Sequence, residues 1–164
     1  MPRVRLPVLF MACLTLACGG DDGPSGAGGV QFPAIDASVL GAFCWRSNQT
    51  VPSSVGGTVS SGDCDSADVD PADEGYYETY RVRVASAQSV TFSIASTYDT
   101  YLTVVRVNSI SGTTVNVTVI DEDDDSGTDL NAMLTVTLQP GVDYFVAVGG
   151  YDYTETGPYT LSIN

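Results

Sequence analysis

Apolar and polar residues alternate from Tyr76 to the end of the chain, and the apolar or β-branched side chains recur at every second position. This alternation is typical of β-strands that bury one face, and no window carries a convincing helical period of 3.6 residues. Groups spaced about ten residues apart predict an all-β fold, an antiparallel, jelly-roll-like β-sandwich of about seven to nine strands. The groups are Tyr80, Val82 and Val84; Val90, Phe92 and Ile94; Leu102 and Val104; Val115, Val117 and Val119; Leu134, Val136 and Leu138; Tyr144 to Val148; and Tyr159, Leu161 and Ile163.

The N-terminus has the pattern of an export signal. Arg3 and Arg5 precede an apolar run, Leu6 to Ala17, which leads into Cys18 and a polar segment. The run is too short to cross the core of a bilayer, which needs about 20 helical residues. It therefore predicts a cleaved signal peptide rather than a membrane helix.

The residues around Cys18 resemble the lipobox of bacterial lipoproteins, in which a small residue precedes a cysteine that is acylated and becomes the mature N-terminus. The sequence there is LTLAC, with Thr15 in place of the usual leucine, and a competing Cys13 is followed by more apolar chain. The resemblance implies a lipid anchor such as palmitate on Cys18, and Gly19 after the cysteine implies the outer membrane. The alternative is ordinary cleavage to a secreted protein.

These features divide the chain into three parts. We predict a signal peptide over residues 1–17, a Gly-rich flexible tether over 18–35 and one β-sandwich domain over 36–164. The chain of 164 residues leaves room for one domain with an adequate core.

The charge balance excludes several classes of function. The chain has 6 Lys+Arg against 20 Asp+Glu, no His and a formal net charge of −14. A field of this sign repels phosphate backbones and attracts cations, so we predict no nucleic-acid partner. Without His or Lys, the chain lacks the commonest general base and the groups that activate a serine nucleophile. We predict that it is not an enzyme; hydrolysis by a pair of carboxylates is the least favoured alternative.

Short motifs in the predicted domain follow one another in the order seen in bacterial pre-peptidase C-terminal domains. The sequence resembles that family over about residues 55–164. The resemblance implies a jelly-roll-like sandwich without catalytic residues, in some members binding calcium and in others adhering to carbohydrate or protein polymers. The motifs are VGGT at 55–58, GDC at 62–64, YRVRV at 80–84, QSVTF at 88–92, YDTYL at 98–102, SG at 126–127, LN at 130–131, YFVAV at 144–148 and GPYTLS at 157–162.

Two cysteines remain when Cys18 is acylated and the signal is removed, Cys44 and Cys64. Disulfides persist outside the cytoplasm, so we predict a bridge between them. It would close a loop of about 20 residues and contribute on the order of 3 kcal/mol in the chain-entropy model.

The densest charge is the acidic run DEDDDSG at residues 121–127. Oxygen ligands of this kind suit calcium, but the glycine comes one residue too late for an EF-hand loop and Ala132 stands where its bidentate glutamate belongs. In the resembled family, the aspartate of the YDT segment lies near this turn. The resemblance therefore implies a hypothetical calcium site using Asp99, Asp121, Asp123 and Asp125. The alternative is a solvated turn that needs no metal.

Aromatic residues outside the alternating pattern are weak candidates for a contact surface. Trp45, Tyr151 and Tyr153 could stack on sugar rings or on a partner protein. The alternative is partial burial at the edge of the sandwich.

Together these features predict a non-catalytic, lipid-anchored binding or adhesion module of the cell surface, for which calcium is an optional stabiliser and no cofactor is required. Its partners would be the membrane, through the anchor, and a polysaccharide or an envelope protein. The alternative is a structural accessory subunit of an envelope assembly without a small ligand.

Overall fold

The computed structural model of the chain describes residues 29–68, 74–112 and 114–164. The predicted signal peptide, the acylation site Cys18 and residues 18–28 of the predicted tether lie outside the described residues. No helix within the described ranges is long and apolar enough to cross a bilayer.

The described residues form ten strands and one short α-helix, α1, which spans Ala37–Ala42. Asp36 caps α1, because its side chain accepts a hydrogen bond from the backbone N–H of Ser38 at 2.8 Å. Six residues are too few to show a helical period, so the sequence pattern did not predict α1. The strands are β1 (Trp45–Gln49), β2 (Ser53–Val59), β3 (Cys64–Asp65), β4 (Tyr76–Val82), β5 (Gln88–Ser96), β6 (Thr100–Ser111), β7 (Thr114–Asp123), β8 (Met133–Leu138), β9 (Tyr144–Gly150) and β10 (Gly157–Ile163).

The strands form two sheets. Sheet A has the order β1-β4-β9-β6-β7, with β3 also paired to β4, and sheet B has the order β2-β10-β5-β8. Only the β1–β4 pair is parallel among the strand pairs of the described chain. When β1 and β3 are set aside, eight strands remain in two four-stranded sheets with the strand order of a jelly roll. The predicted jelly-roll-like sandwich is confirmed.

The seven apolar groups of the sequence coincide with β4 to β10. Three strands before Tyr76 bring the number in the described residues to ten, slightly above the predicted range. Two of the three, β1 and β3, are short and polar, and both pair with β4. They add to the edge of sheet A without the alternating pattern that identifies a half-buried strand.

The main core lies between the two sheets and is built from the alternating positions. Each fully buried aliphatic or aromatic side chain of this kind contributes about 1.5–3 kcal/mol relative to its exposed state. The side chains that are completely or almost completely buried there include Tyr80, Val82, Val90, Phe92, Leu102, Val104, Leu138, Val146, Val148, Leu161 and Ile163.

A second apolar cluster covers the outer face of sheet A. Phe145 of β9 points away from the main core and stacks on Phe43, with the ring centroids 4.5 Å apart. Val39 of α1 and Val115 of β7 complete the buried part of this cluster, and Ile35 packs against it. Residues 31–35, the end of the predicted tether, thus lie on the sandwich together with α1.

Cys44 and Cys64 form the predicted disulfide, with their Cα atoms 5.8 Å apart. The bridge joins the residue before β1 to the first residue of β3. Because β1 and β3 both pair with β4, the disulfide fastens the N-terminal segment to the edge of sheet A.

Candidate functional site

Three loops meet at one end of the sandwich: those between β5 and β6, between β7 and β8, and between β9 and β10. The backbone N–H of Thr100 donates to the carbonyl of Leu130 at 3.0 Å, and that of Tyr151 donates to the carbonyl of Asp99 at 3.1 Å. The Asp99 N–H donates to the carboxylate of Glu155 at 3.0 Å. We call this region the acidic end, because its loops carry Asp99, Asp124, Asp125, Asp152 and Glu155.

Asp99 is the carboxylate on which these charges converge. Burial raises its pKa, and the charges of Asp125, Glu155, Asp124 and Asp152 raise the pKa further. Its Oδ1 atom is buried and has no hydrogen-bond partner in the described part of the chain. The ionised form of Asp99 is therefore unfavourable unless a cation or another donor reaches it.

Asp121 and Asp123 of β7 have partners of their own. The Asp121 side chain accepts from the N–H of Glu122 at 3.1 Å. Asp123 accepts from the N–H of Ser126 at 3.0 Å and from the N–H of Met133 at 2.8 Å. Burial opposes ionisation of Asp123, but these bonds and the Ser126 hydroxyl outweigh it and lower the pKa of Asp123. The Asp123 carboxylate thus ties the loop after β7 to the start of β8.

The described residues contain no group of three or more carboxylates or thiols arranged to hold a metal ion. The structure brings Asp99 and Asp125 to the same end, where Asp124, Asp152 and Glu155 join them. The last three were not predicted as site residues. Asp124 lies within the acidic run, whereas the spacing of Asp152 and Glu155 gives no sign that their loop meets Asp99.

The three predicted contact aromatics have different surroundings. Tyr151 is 45% exposed at the acidic end. Tyr153 is also exposed, but its hydroxyl donates to Asp65 at 2.8 Å and its ring packs 5.2 Å from that of Tyr76. Trp45 packs against the second apolar cluster, and its indole N–H is buried without an acceptor in the described residues.

Leu130 is a further exposed residue of the acidic end, and it is 54% exposed. Its backbone bond to Thr100 places it beside the segment that carries Asp99. Leu130 belongs to the LN motif of the resembled family, but it was not predicted as a contact residue. The acidic end therefore combines negative charge with two exposed apolar side chains.

A separate polar cluster is buried between the sheets. Glu78 of β4 is 3% exposed and accepts hydrogen bonds from Arg46, from the Tyr159 hydroxyl and, at 3.3 Å, from the Tyr80 hydroxyl. Arg46 also pairs with Asp63. Burial raises the pKa of Tyr80 to about 12, although the nearby Tyr159 hydroxyl, 2.8 Å away, acts to lower it. Both carboxylate oxygens of Glu78 accept hydrogen bonds from structural partners, which suits a stabilising role better than proton transfer.

No family model matches this sequence, and neither does any curated protein. The chain is similar in structure to the pre-peptidase C-terminal domain of a collagenase from Bacillus anthracis, with a TM-score of 0.51 and 16% identity over 73% of this chain and 95% of that one. The predicted type of domain is thus supported at the level of its fold.

Two further solved structures are similar over comparable lengths. One is PliG of Aeromonas hydrophila, a periplasmic inhibitor of g-type lysozyme, with a TM-score of 0.41 and 14% identity over 73% of this chain and 97% of that one. The other is CorA, a surface-associated copper-binding protein of Methylomicrobium album BG8, with a TM-score of 0.45 and 8% identity over 71% and 96% of the two chains.

Proposed function

We propose that this protein is a non-catalytic binding module, held at the cell envelope by a lipid anchor on Cys18, and that the acidic end is its contact surface. The observation that carries the proposal is the exposure of Tyr151 and Leu130 beside the loops of Asp99 and Glu155. Aromatic side chains are enriched in the centres of interfaces, and the carboxylates around them favour a cationic partner.

The outer membrane is the proposed location, because Gly19 follows Cys18 in the segment that resembles a lipobox. Acyl chains contribute about 0.8 kcal/mol per buried CH₂, so two or three of them hold a protein on a membrane. The test is metabolic labelling of the expressed chain with an alkyne palmitate. We expect label in the wild type and none in Cys18→Ser. Label that persists in Cys18→Ser would contradict the proposed anchor.

Binding is tested with the acidic end altered and the rest of the sandwich intact. The probes are a fluorescent Lys-rich peptide and, separately, insoluble cellulose and peptidoglycan. We expect saturable peptide binding that Tyr151→Ser with Leu130→Ser weakens by about tenfold or more, because both changes remove exposed apolar contact area from the acidic end. Ile110→Ser is the matched control, since Ile110 is 39% exposed and lies on the β6–β7 hairpin away from the acidic end.

The salt dependence of binding identifies the class of partner. Binding to a cationic peptide should fall between 50 and 200 mM NaCl, because the Debye length, about 10 Å at 0.1 M, shortens as salt is added and exposed charges are screened more strongly. Binding to cellulose or peptidoglycan that ignores salt would shift the proposal to a polysaccharide partner. No saturable binding to any probe would favour the structural accessory subunit instead.

We propose calcium as an optional stabiliser of the acidic end, although the described residues hold no preformed group of three or more metal ligands. The buried Oδ1 of Asp99 lacks a partner within the described residues, and neighbouring carboxylates raise the pKa of Asp99. Calcium would be held by Asp99 with Asp125 from the predicted set, and its charge would offset their repulsion. Asp123 is a weaker candidate because backbone N–H groups already occupy its carboxylate.

The calcium proposal is tested by thermal unfolding in excess EDTA and then in millimolar calcium. A ligand that binds only the folded state raises stability by RT ln(1 + [L]/Kd), so the melting temperature should climb with calcium concentration. Asp99→Asn should abolish this climb, whereas Asp36→Asn, at the helix cap, should leave it unchanged. An identical melting temperature in EDTA and calcium would leave the acidic run as a solvated turn.

A further inference from the structure

Two arginines lie on the outer face of sheet A, beneath the N-terminal segment of the chain. Arg81 belongs to β4, and Arg83 is the first residue after that strand. Arg81 is 2% exposed and Arg83 is 8% exposed. The Arg81 Nη1 donates to the carbonyl of Pro33 at 2.8 Å, and the Arg83 Nη1 donates to the carbonyl of Gln31. The Arg83 Nη2 donates to the carbonyl of Gly141 at 2.6 Å. Residues 31–33 therefore act as a strap across these guanidinium groups.

Asp143 supplies the carboxylate of this cluster. It accepts from the Arg81 Nε at 2.7 Å and forms an ion pair with Arg83 at 3.2 Å. The Phe32 ring lies 5.4 Å from the Arg81 guanidinium carbon, a cation–π contact. One carboxylate cannot neutralise two buried guanidinium groups, so the strap's carbonyls and the Phe32 ring are needed to offset their desolvation.

Gln31, the first residue of the strap, lies at the end of the sandwich opposite the acidic end. Strand β9 runs from Tyr144, just after the Gly141 turn, to Gly150, next to Tyr151 of the acidic end. Gln31 is held at the Gly141 turn, because Arg83 donates to the carbonyls of both residues. Seven residues of strand separate the two ends, a distance of about 20 Å or more.

The carboxylates are distributed unevenly between these ends. Of the side-chain carboxylates in the described residues, Asp36 and Asp143 lie near the strap, and Asp121 and Glu122 are level with the middle of β9. The acidic end holds Asp99, Asp124, Asp125, Asp152 and Glu155. The end of the sandwich opposite the acidic end, where Gln31 is held, also carries the exposed uncharged segment Ala85 to Ala87. A membrane surface with anionic lipids therefore repels the acidic end more strongly than the end that carries the strap.

We propose that Arg81, Arg83 and Asp143 form a clamp that makes the tether leave the domain opposite the acidic end, so that the anchored molecule presents the acidic end away from the membrane. The clamp itself is independent of the proposed function, whereas the orientation rests on the proposed anchor at Cys18. Without the clamp, residues 31–33 would no longer fix which end of the sandwich the chain leaves from, and nothing would keep the acidic end away from the bilayer.

The clamp is tested without a membrane in the chain from residue 18 onward with Cys18→Ser. Spin labels on Gly29→Cys are paired with labels on Ser86→Cys, near the strap, or on Thr156→Cys, in the acidic end, and distances are measured by pulsed electron resonance. We expect a narrow, short distribution for the first pair and one longer by roughly 10 Å or more for the second. Broad distributions with the same mean for both pairs would overturn the clamp.

Two variants separate the clamp from a general loss of structure. Arg81→Met with Arg83→Met removes both donors, and Phe32→Ser removes only the ring that covers Arg81. Each should broaden the distribution between positions 29 and 86, while the near-ultraviolet circular dichroism of Phe32→Ser stays that of the wild type. The clamp would also be overturned if both variants kept the narrow distribution of distances between positions 29 and 86.

The orientation is tested with the full acylated chain in phosphatidylcholine vesicles that contain a headgroup-labelled acceptor lipid. A donor dye on Ser86→Cys should transfer energy more efficiently than the same dye on Thr156→Cys. Equal transfer from both positions, with the clamp intact in the spin-label experiment, would overturn the orientation alone. Failure of the acylated chain to associate with vesicles at all would overturn the anchor, and the orientation with it.

Discussion

Glu78 is a carboxylate placed between two sheets, and its residue-level surroundings explain why it is tolerated there. Arg46 supplies the balancing charge, and the hydroxyls of Tyr80 and Tyr159 supply further donors. The Arg46 side chain is 49% exposed, whereas that of Glu78 is 3% exposed. The arginine thus lies across the mouth of a buried anionic site, and removing it leaves a buried charge without compensation.

Arg46→Met should lower the free energy of unfolding by about 2–4 kcal/mol, because it strands the Glu78 carboxylate. The measurement is urea unfolding at pH 7. Adding Glu78→Gln to Arg46→Met should recover part of the loss, since the amide carries no charge. Arg106→Met is the control: Arg106 bonds to the exposed Asn108, so its loss should cost less than about 0.5 kcal/mol. Equal effects of the two arginine changes would contradict this account.

Asp99 should make the domain less stable at neutral pH than an uncharged residue would. Its pKa is raised by burial and then by neighbouring carboxylates, so folding favours the protonated form. The stability from protonation is fully present below the unfolded pKa of about 3.9 and is lost as pH rises through the folded pKa. In EDTA, Asp99→Asn should therefore be more stable than wild type at pH 7, and the difference should vanish near pH 3.

The measurement is the difference in unfolding free energy between wild type and Asp99→Asn at a series of pH values. Asp152→Asn provides the contrast, because hydrogen bonds from Thr154 lower the pKa of Asp152. Its carboxylate stabilises the folded state above the unfolded pKa, so Asp152→Asn should lose stability at pH 7. If both variants gained or both lost stability at pH 7, the assigned environments would be wrong.

At the scale of elements, β2 shows how one strand makes room for a buried polar group. Its glycines, Gly56 and Gly57, are neighbours with opposite orientations. A Cβ on Gly57 would clash with a Glu78 carboxylate oxygen and with the Tyr159 hydroxyl. A Cβ on Gly56 would meet only the Tyr159 carbonyl oxygen, at 3.7 Å. The polar cluster around Glu78 therefore requires a glycine at position 57 but leaves room for a side chain at position 56.

Gly57→Ala should destabilise the domain by about 1–3 kcal/mol, the usual cost of overpacking a close-packed interior. Gly56→Ala should be neutral or stabilising by up to about 1 kcal/mol, because alanine loses less backbone freedom on folding than glycine. Thermal and urea unfolding of the two variants measure the contrast. Similar losses in both would show that β2 itself, rather than the Glu78 site, resists a side chain.

At the scale of the whole molecule, the disulfide connects the N-terminal segment, the buried charge network and sheet A. Arg46 and Asp63 lie close to the bridged Cys44 and Cys64, and they pair with each other. The bridge restricts the unfolded chain over a separation of 20 residues. It also keeps the arginine near Glu78.

Cys44→Ser with Cys64→Ser should lower the unfolding free energy by about 3 kcal/mol. Combined with Arg46→Met, the loss should be smaller than the sum of the separate losses, because both changes loosen the same contact. Urea unfolding of the three variants provides the comparison. A fully additive result would show that the bridge and the arginine act independently.

The sequence by itself determined the sandwich and the disulfide. Side chains alternate across a strand, so an apolar residue at every second position reveals β4 to β10 whatever they pack against. Cys44 and Cys64 could be paired because the predicted signal peptide and acylation site account for Cys13 and Cys18. The same local reasoning predicted neither α1 nor β1, because each is too short or too polar to carry a period.

Only the tertiary structure decided what covers each polar face and which loops meet. Arg81 and Arg83 have the spacing of an exposed face, yet a strap from about 50 residues away buries them. Asp99 meets Glu155 because strand order, not sequence spacing, brings their loops together. Alternation at every second residue shows that the two faces of a strand differ in polarity. It does not show which distant segment of the chain packs on the polar face. The clamp and the acidic end are products of long-range packing for that reason.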